Sequence, residues 1–171
     1  MEKINFENLK PPAISKETLM ALQDNIQQAI LEKDVMTAYQ TSAQIANNNQ
    51  TCNFQSYEQI GSNLSFSNNA IIIGERVKSI AVKGRIFFEY LPNLGYARPE
   101  IRKNNEVIAR RLCDFDEGSS YFTVDVDYEP VSVQQGDKIT LNFGDINNLQ
   151  PTTRGDKLET FLTVEVLEYT D

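Results

Sequence analysis

The stretch "VSVQQGDKITLNF" (residues 131–143) decides how the rest of the chain is read. Ile139, Leu141 and Phe143 alternate with Thr140 and Asn142, the period of two that puts one side of a strand in a core and the other outside. The Gly136–Asp137 pair just before it is a turn signal and predicts hairpin geometry; it lacks the pattern of a phosphate-binding loop. Downstream, "ETFLTVEVLEY" (residues 159–169) repeats the alternation, with Leu162, Val164 and Val166 set against Phe161, Thr163, Glu165 and Leu167.

Working outward, the same grammar recurs. "SIAVKGRIFFEY" (residues 79–90) places Ile80, Val82, Ile86, Phe88 and Tyr90 in register, with Gly84 as a predicted bulge. "EIRKNNEVI" (residues 100–108) predicts a hairpin turning at Asn104–Asn105, since Asn tolerates positive φ. "YFTVDVDY" (residues 121–128) puts Phe122, Val124, Val126 and Tyr128 on one face and Thr123, Asp125 and Asp127 on the other. Many short strands separated by polar turns indicate an antiparallel sandwich or barrel.

The N-terminal third reads differently. Residues 1–14 read as an extended arm with Ile4, Phe6 and Leu9 as its expected apolar contacts and Pro11–Pro12 as a bend. Ser15 is a preferred helix N-cap, Ile14 and Leu19 have the spacing of a hydrophobic staple, and Glu17 suits the first turn. Leu19, Leu22, Ile26 and Ala29 or Ile30 then form a short coiled-coil-like seam. Beyond Lys33, Val35, Tyr39, Ser42 and Ala46 make a second helical stripe: either the helix continues with a shifted face, or Asp34 caps a second one. The Asn run at 47–50 closes the helical region. The expected organisation is α+β: an arm at 1–14, a helical stalk at 15–50 and a β-sandwich head at 51–171.

Composition limits function. The chain has 171 residues and a formal net charge of −8, which argues against nucleic acid because phosphate neutralisation needs clustered Lys and Arg. No segment approaches the roughly 18 apolar residues of a membrane span, and no signal peptide is expected at the N-terminus. Cys52 and Cys113 are read as reduced thiols. There is no histidine, so the commonest general base and zinc ligand is missing, and no enzymatic activity and no cofactor are expected.

The remaining constellations favour structural roles. Asp114, Asp116 and Glu117 in "DFDEG" offer hard oxygen ligands suited to calcium, but the full calcium-loop pattern is missing and an acidic turn explains them. Asp125 and Asp127 are neighbours on one strand face, whereas a catalytic pair flanks a bond across a cleft. The "RGD" at 154–156 is short enough to arise by chance. Tyr57, Tyr96 and Tyr121 with Asn68, Asn69, Asn93, Asn147 and Asn148 have the residue types of a sugar site, but ordinary loop composition with partly buried tyrosines is the favoured reading.

Two stretches resemble known families. "INFENLKPPAISKETLMALQDNIQQAI" (residues 4–30) resembles the N-terminal segment of tailed-phage virion proteins, an I-N-F arm followed by L-x-x-L-Q-x-N-I-x-x-A-I; Ile4, Asn5, Phe6, Leu19, Leu22, Gln23, Asn25, Ile26, Ala29 and Ile30 fit. A double proline stands where the commoner form has Asn-Ala-Thr-Asn. "VSVQQGDKITLNF…ETFLTVEVLE" is similar to the end of TNF-like and complement-type jelly-roll heads, which usually trimerise through the aromatic and aliphatic face of one sheet. Together the resemblances imply a homotrimeric head fibre or tail appendage in a virion. Its arm (Ile4, Phe6, Leu9) would dock on a capsid or tail protein, its seam (Leu19, Leu22, Ile26, Ala29, Ile30) would gather three copies, and its head would meet a host-surface glycan or protein. The alternative is a non-viral jelly-roll module that binds carbohydrate or protein.

Overall fold

A computed structural model describes residues 15–31, 34–89, 95–115, 121–147 and 151–170. By internal packing the chain divides into residues 1–32 and 33–171. In the first unit, α1 (Lys16–Leu31) begins as predicted: Ser15 Oγ accepts from the Thr18 amide at 3.1 Å, and its carbonyl accepts from Leu19. Ile14, the other half of the expected staple, lies outside the described residues.

Among its described residues the second unit has strands and no helix: β1 (Val35–Tyr39), β2 (Gln44–Ile45), β3 (Ser56–Ile60), β4 (Leu64–Ser67), β5 (Ala70–Ile73), β6 (Val77–Glu89), β7 (Gly95–Lys103), β8 (Glu106–Arg110), β9 (Cys113–Phe115), β10 (Tyr121–Ser132), β11 (Lys138–Ile146), β12 (Thr152–Thr153) and β13 (Phe161–Tyr169). Sheet 1 runs β2-β12-β6-β13-β1-β3, with β10 on the other side of β6; sheet 2 runs β4-β5-β11-β7-β8, with β9 also on β7. Every ladder is antiparallel. The chain crosses between sheets at β3–β4, β5–β6, β6–β7, β9–β10, β10–β11 and β11–β12, and the two sheets enclose one core. This is a jelly roll.

The core holds most of the predicted alternations, except that Tyr128, expected to face inward, is 48% exposed just before the bulge in β10, and Tyr90 lies outside the described residues. Ile80, Val82, Ile86 and Phe88 of β6, Val124 and Val126 of β10, Ile139, Leu141 and Phe143 of β11, and Leu162, Val164 and Val166 of β13 are buried. Phe88 and Phe143 meet across the layers with ring centroids 6.3 Å apart. Burying side chains of this kind contributes roughly 1.5–3 kcal/mol each.

Several expectations are corrected. The stripe Val35, Tyr39, Ser42, Ala46 is not helical, and the head begins at Asp34 rather than at residue 51. In "VMTAY", Met36 and Ala38 point into the core while Val35, Thr37 and Tyr39 are half-buried, and β1 finds ladder partners on both sides in β13 and β3. Pairing on both sides outweighs the helical spacing of the apolar residues. Asp34 is not a helix cap; its side chain is fixed inside the head. Gly84 makes no bulge, since it pairs regularly with Val126 and Leu162; the bulge in the β6–β10 ladder falls between Tyr128 and Val131. A Cβ at Gly84 would lie 2.7 Å from Leu141 Cδ1, so glycine serves close packing between the layers. The turn at Gly136–Asp137 exists, with Gly136 at φ +85°, but it is a corner from sheet 1 to sheet 2 rather than a hairpin.

The Asn104–Asn105 hairpin is as predicted, both residues having positive φ and Lys103 facing Glu106. Asn68–Asn69 form a second such turn, joining β4 to β5.

Candidate functional site

The outer faces of the two sheets differ in chemistry. On sheet 2, Glu100 is almost fully buried between Arg102 (2.6 Å) and Arg110 (2.7 Å), and Arg102 also donates to Asn49. Beside them, Thr140 donates to Asn142, which donates to Thr51 at 3.0 Å. The middle of this face is a polar network.

Sheet 1 presents a different surface. Alternation turns Thr37 and Tyr39 of β1, Phe161 and Thr163 of β13, Lys83, Arg85 and Phe87 of β6, and Thr123, Asp125 and Asp127 of β10 outward. The registers align them in rows across the sheet: Tyr39, Phe161, Arg85, Asp125, and beside it Thr37, Thr163, Lys83, Asp127. Thr37 and Thr163 share a 2.8 Å hydrogen bond.

Two arginines lie flat on this face. Arg85 sits over the Phe161 ring at 5.6 Å and holds Asp125 through two bonds; Arg154 sits over Phe87 at 5.7 Å and pairs with Glu159 at 3.1 Å. Phe87 also stacks on Tyr121, which is 66% exposed. The Asp125 carboxyl is held below its usual range by the Arg85 hydrogen bonds, and Arg85 is pushed up in return. Each arginine thus combines an ion pair with a cation–π contact on the outer face of sheet 1.

A shallow hollow of about 280 Å³ lies at one end of this face, floored by Tyr39, Phe161, Thr37 and Thr163 and rimmed by the Glu58–Lys157 pair (3.0 Å) and exposed Leu158. A second of similar size lies between β6 and β10, lined by Lys83, Asp127, Tyr128 and Glu165 among others.

The sequence-predicted residues are distributed as follows. Leu19 and Leu22 of the seam are half-exposed on α1, at 49% and 48%. Ile26, Ala29 and Ile30 lie in α1, their side chains outside the described residues, as are Ile4, Phe6 and Leu9 entirely. Asp114 is exposed on β9, while Asp116 and Glu117 lie outside the described residues; among those described, no group of three acidic or cysteine side chains is poised for a metal.

Asp125 is bound to Arg85, and Asp127 faces Lys83 across the ladder; both border one hollow of about 300 Å³ beside β8, but from the same strand, so they do not oppose each other across it. The Arg-Gly-Asp stretch has structural work in all its residues. Arg154 stacks on Phe87, Gly155 packs against the Ser42 backbone, and Asp156 accepts from the Leu158 amide at 2.8 Å.

The residues considered for a sugar site fall on separate elements. Tyr57 packs on Phe66, Tyr96 donates to Asp145, and Tyr121 stacks on Phe87, while Asn68 and Asn69 make a turn. Asn147 donates its amide to Tyr96, and Asn93 and Asn148 lie outside the described residues. Cys52 and Cys113 are free thiols; burial raises both, Cys52 the more strongly. Sequence reasoning missed the Arg85–Phe161 and Arg154–Phe87 stacks, because each joins residues far apart in the chain.

The two packed antiparallel sheets form a jelly-roll β-sandwich of TNF-like fold. Solved structures agree on the fold. Murine APRIL at pH 5.0 superposes with a TM-score of 0.58 at 12% identity, over 80% of this chain and 100% of that one. The Eiger TNF of S. frugiperda gives 0.59 at 5% identity, over 81% and 94%. No protein-family model matches the chain, and no curated protein does.

Proposed function

We propose that this protein is a homotrimeric appendage of a tailed-phage virion, attached by its N-terminal arm and presenting the jelly-roll head to a host-surface glycan or protein. The observation that carries the trimer is the outer face of sheet 1, where Tyr39, Phe161, Arg85, Phe87 and Tyr121 form an aromatic, charge-compensated surface, while the middle of the opposite face carries the Glu100 ion pairs. Its TNF-like fold supports the same reading, since such heads usually trimerise through one sheet's aromatic face. The virion part rests on the resemblance of residues 4–30, in which Ile4, Phe6 and Leu9 dock on a capsid or tail protein. In this reading Leu19, Leu22, Ile26, Ala29 and Ile30 join the helices, a seam too short to hold alone in water. Three weak head sites gain avidity on a repetitive surface. The protein performs no catalysis; it is made in the host cytoplasm and works on the particle.

Light scattering on the whole chain tests the trimer: the expected mass is near three times 19.4 kDa, and a monomer at high concentration overturns it. Deleting residues 1–14 is expected to leave the oligomer intact and abolish incorporation into particles. Truncated protein that still assembles on virions removes the docking role. A glycan array and a cell-binding assay decide the adhesive role.

A further inference from the structure

Asp34, the residue immediately before β1, is 2% exposed, and its groups tie three separated segments together. Its carboxylate accepts from the Asn63 amide (2.9 Å), the Asn63 side chain (2.8 Å) and the Tyr169 hydroxyl (2.9 Å). The Asp34 amide donates to Tyr169 Oη at 3.0 Å, and its carbonyl accepts from Val166 at 2.8 Å. Gly61, at φ +80°, brings the β3–β4 turn so close that a Cβ there would collide with the carboxylate. The beginning of β1, the turn after β3 and the end of β13 therefore meet on one side chain.

The strand behind this knot is short. β1 has 5 residues, of which only Met36 and Ala38 are fully inside the core, although it lies between β13 and β3. A pull or fluctuation arriving from the N-terminal side reaches Asp34 before any rung of the ladder. Segments held by few buried apolar contacts open locally at free energies below that of global unfolding.

We propose that Asp34 is an anchor that fastens the first strand of the head, so that β1 stays docked independently of events upstream. The source of the load rests on the proposed N-terminal attachment; the fastening itself does not. The anchor is local: its removal releases β1 and its β3 and β13 neighbours while the β11–β7 centre of sheet 2 stays closed.

Amide hydrogen exchange on the whole chain tests this, comparing Asp34→Asn and the milder Tyr169→Phe with the parent protein. The expected result is exchange faster by on the order of tenfold to a hundredfold across residues 35–39 and 56–60, the scale of losing hydrogen bonds to a buried charge. Residues 139–146 should keep their parent rates. Unchanged exchange in β1, or equal acceleration throughout both sheets, overturns the proposal. Either outcome leaves the virion reading untouched, because a wrong attachment site changes particle incorporation and not strand opening.

Discussion

Arg85 holds Asp125 with both carboxylate oxygens, Nε to Oδ1 at 2.7 Å and Nη2 to Oδ2 at 2.9 Å, while its guanidinium lies 5.6 Å over the centre of the Phe161 ring. One side chain thus joins β6, β10 and β13 on the outer face of sheet 1. The planar guanidinium suits this double duty in a way that a lysine ammonium does not.

Phe161 is the centre of the proposed contact between copies. Phe161→Glu places a charge on the aromatic face without entering the core, since the inward positions of β13 are Leu162 and Val164. The expected outcome is dissociation towards monomer by light scattering with an unchanged β-type circular dichroism spectrum; a stable trimer would move the contact elsewhere.

Asp125→Ala removes the clamp on Arg85. In a single head both side chains are substantially exposed, 32% and 44%, so for dissociated copies the stability loss is expected at no more than about 1 kcal/mol, or a few degrees in melting temperature. Arg85→Lys should cost about as much, because the bidentate bond and the stacking are both lost. A loss above roughly 3 kcal/mol would mean the pair is buried in the assembly.

Gly84→Ala is expected to destabilise by about 1–3 kcal/mol, because the new methyl group meets Leu141 of the opposite layer. Urea unfolding measures this. Combining it with Leu141→Ala, which opens space opposite, should cost less than the sum of the two single changes.

Acid is expected to weaken the head at the low end of the scale. Burial acts to raise Asp34, but hydrogen bonds from Asn63, Tyr169 and Ser62 outweigh it and hold the carboxyl below its ordinary value. The Arg85 bonds lower Asp125 as well. A carboxyl lowered in the native state contributes stability that is complete above its unfolded value of about 3.9 and is lost as pH falls through the native one. Urea midpoints should therefore be level from pH 6 to 8, where a chain without histidine has little to titrate, and fall below pH 4. Asp125→Asn should make that fall shallower.

The alternating stretches of β6, β10, β11 and β13 were legible because a period of two survives any tertiary context that covers one face. The Asn104–Asn105 turn was legible because few residues accept positive φ. β1 was misread as helix for an equally physical reason: in "VMTAY" the apolar residues fit two periods, and only ladder partners 126 residues away (Thr37 with Thr163) decide between them. Gly84 shows the same limit, since a bulge and a close interlayer contact both call for glycine. The Asp34 knot gathers Asn63 and Tyr169 from distant positions, and no local pattern marks it.

By itself, then, the sequence determined a β-sandwich preceded by a capped helix, its main inward-facing residues and its lack of histidine, because periodicity, capping and composition are local properties. Only the tertiary structure decided where the head begins, which face of which sheet is aromatic, and which charges are neutralised. Those depend on strand order and register, which bring Arg85 to Asp125 and Phe161, and Asp34 to Tyr169, across long stretches of chain.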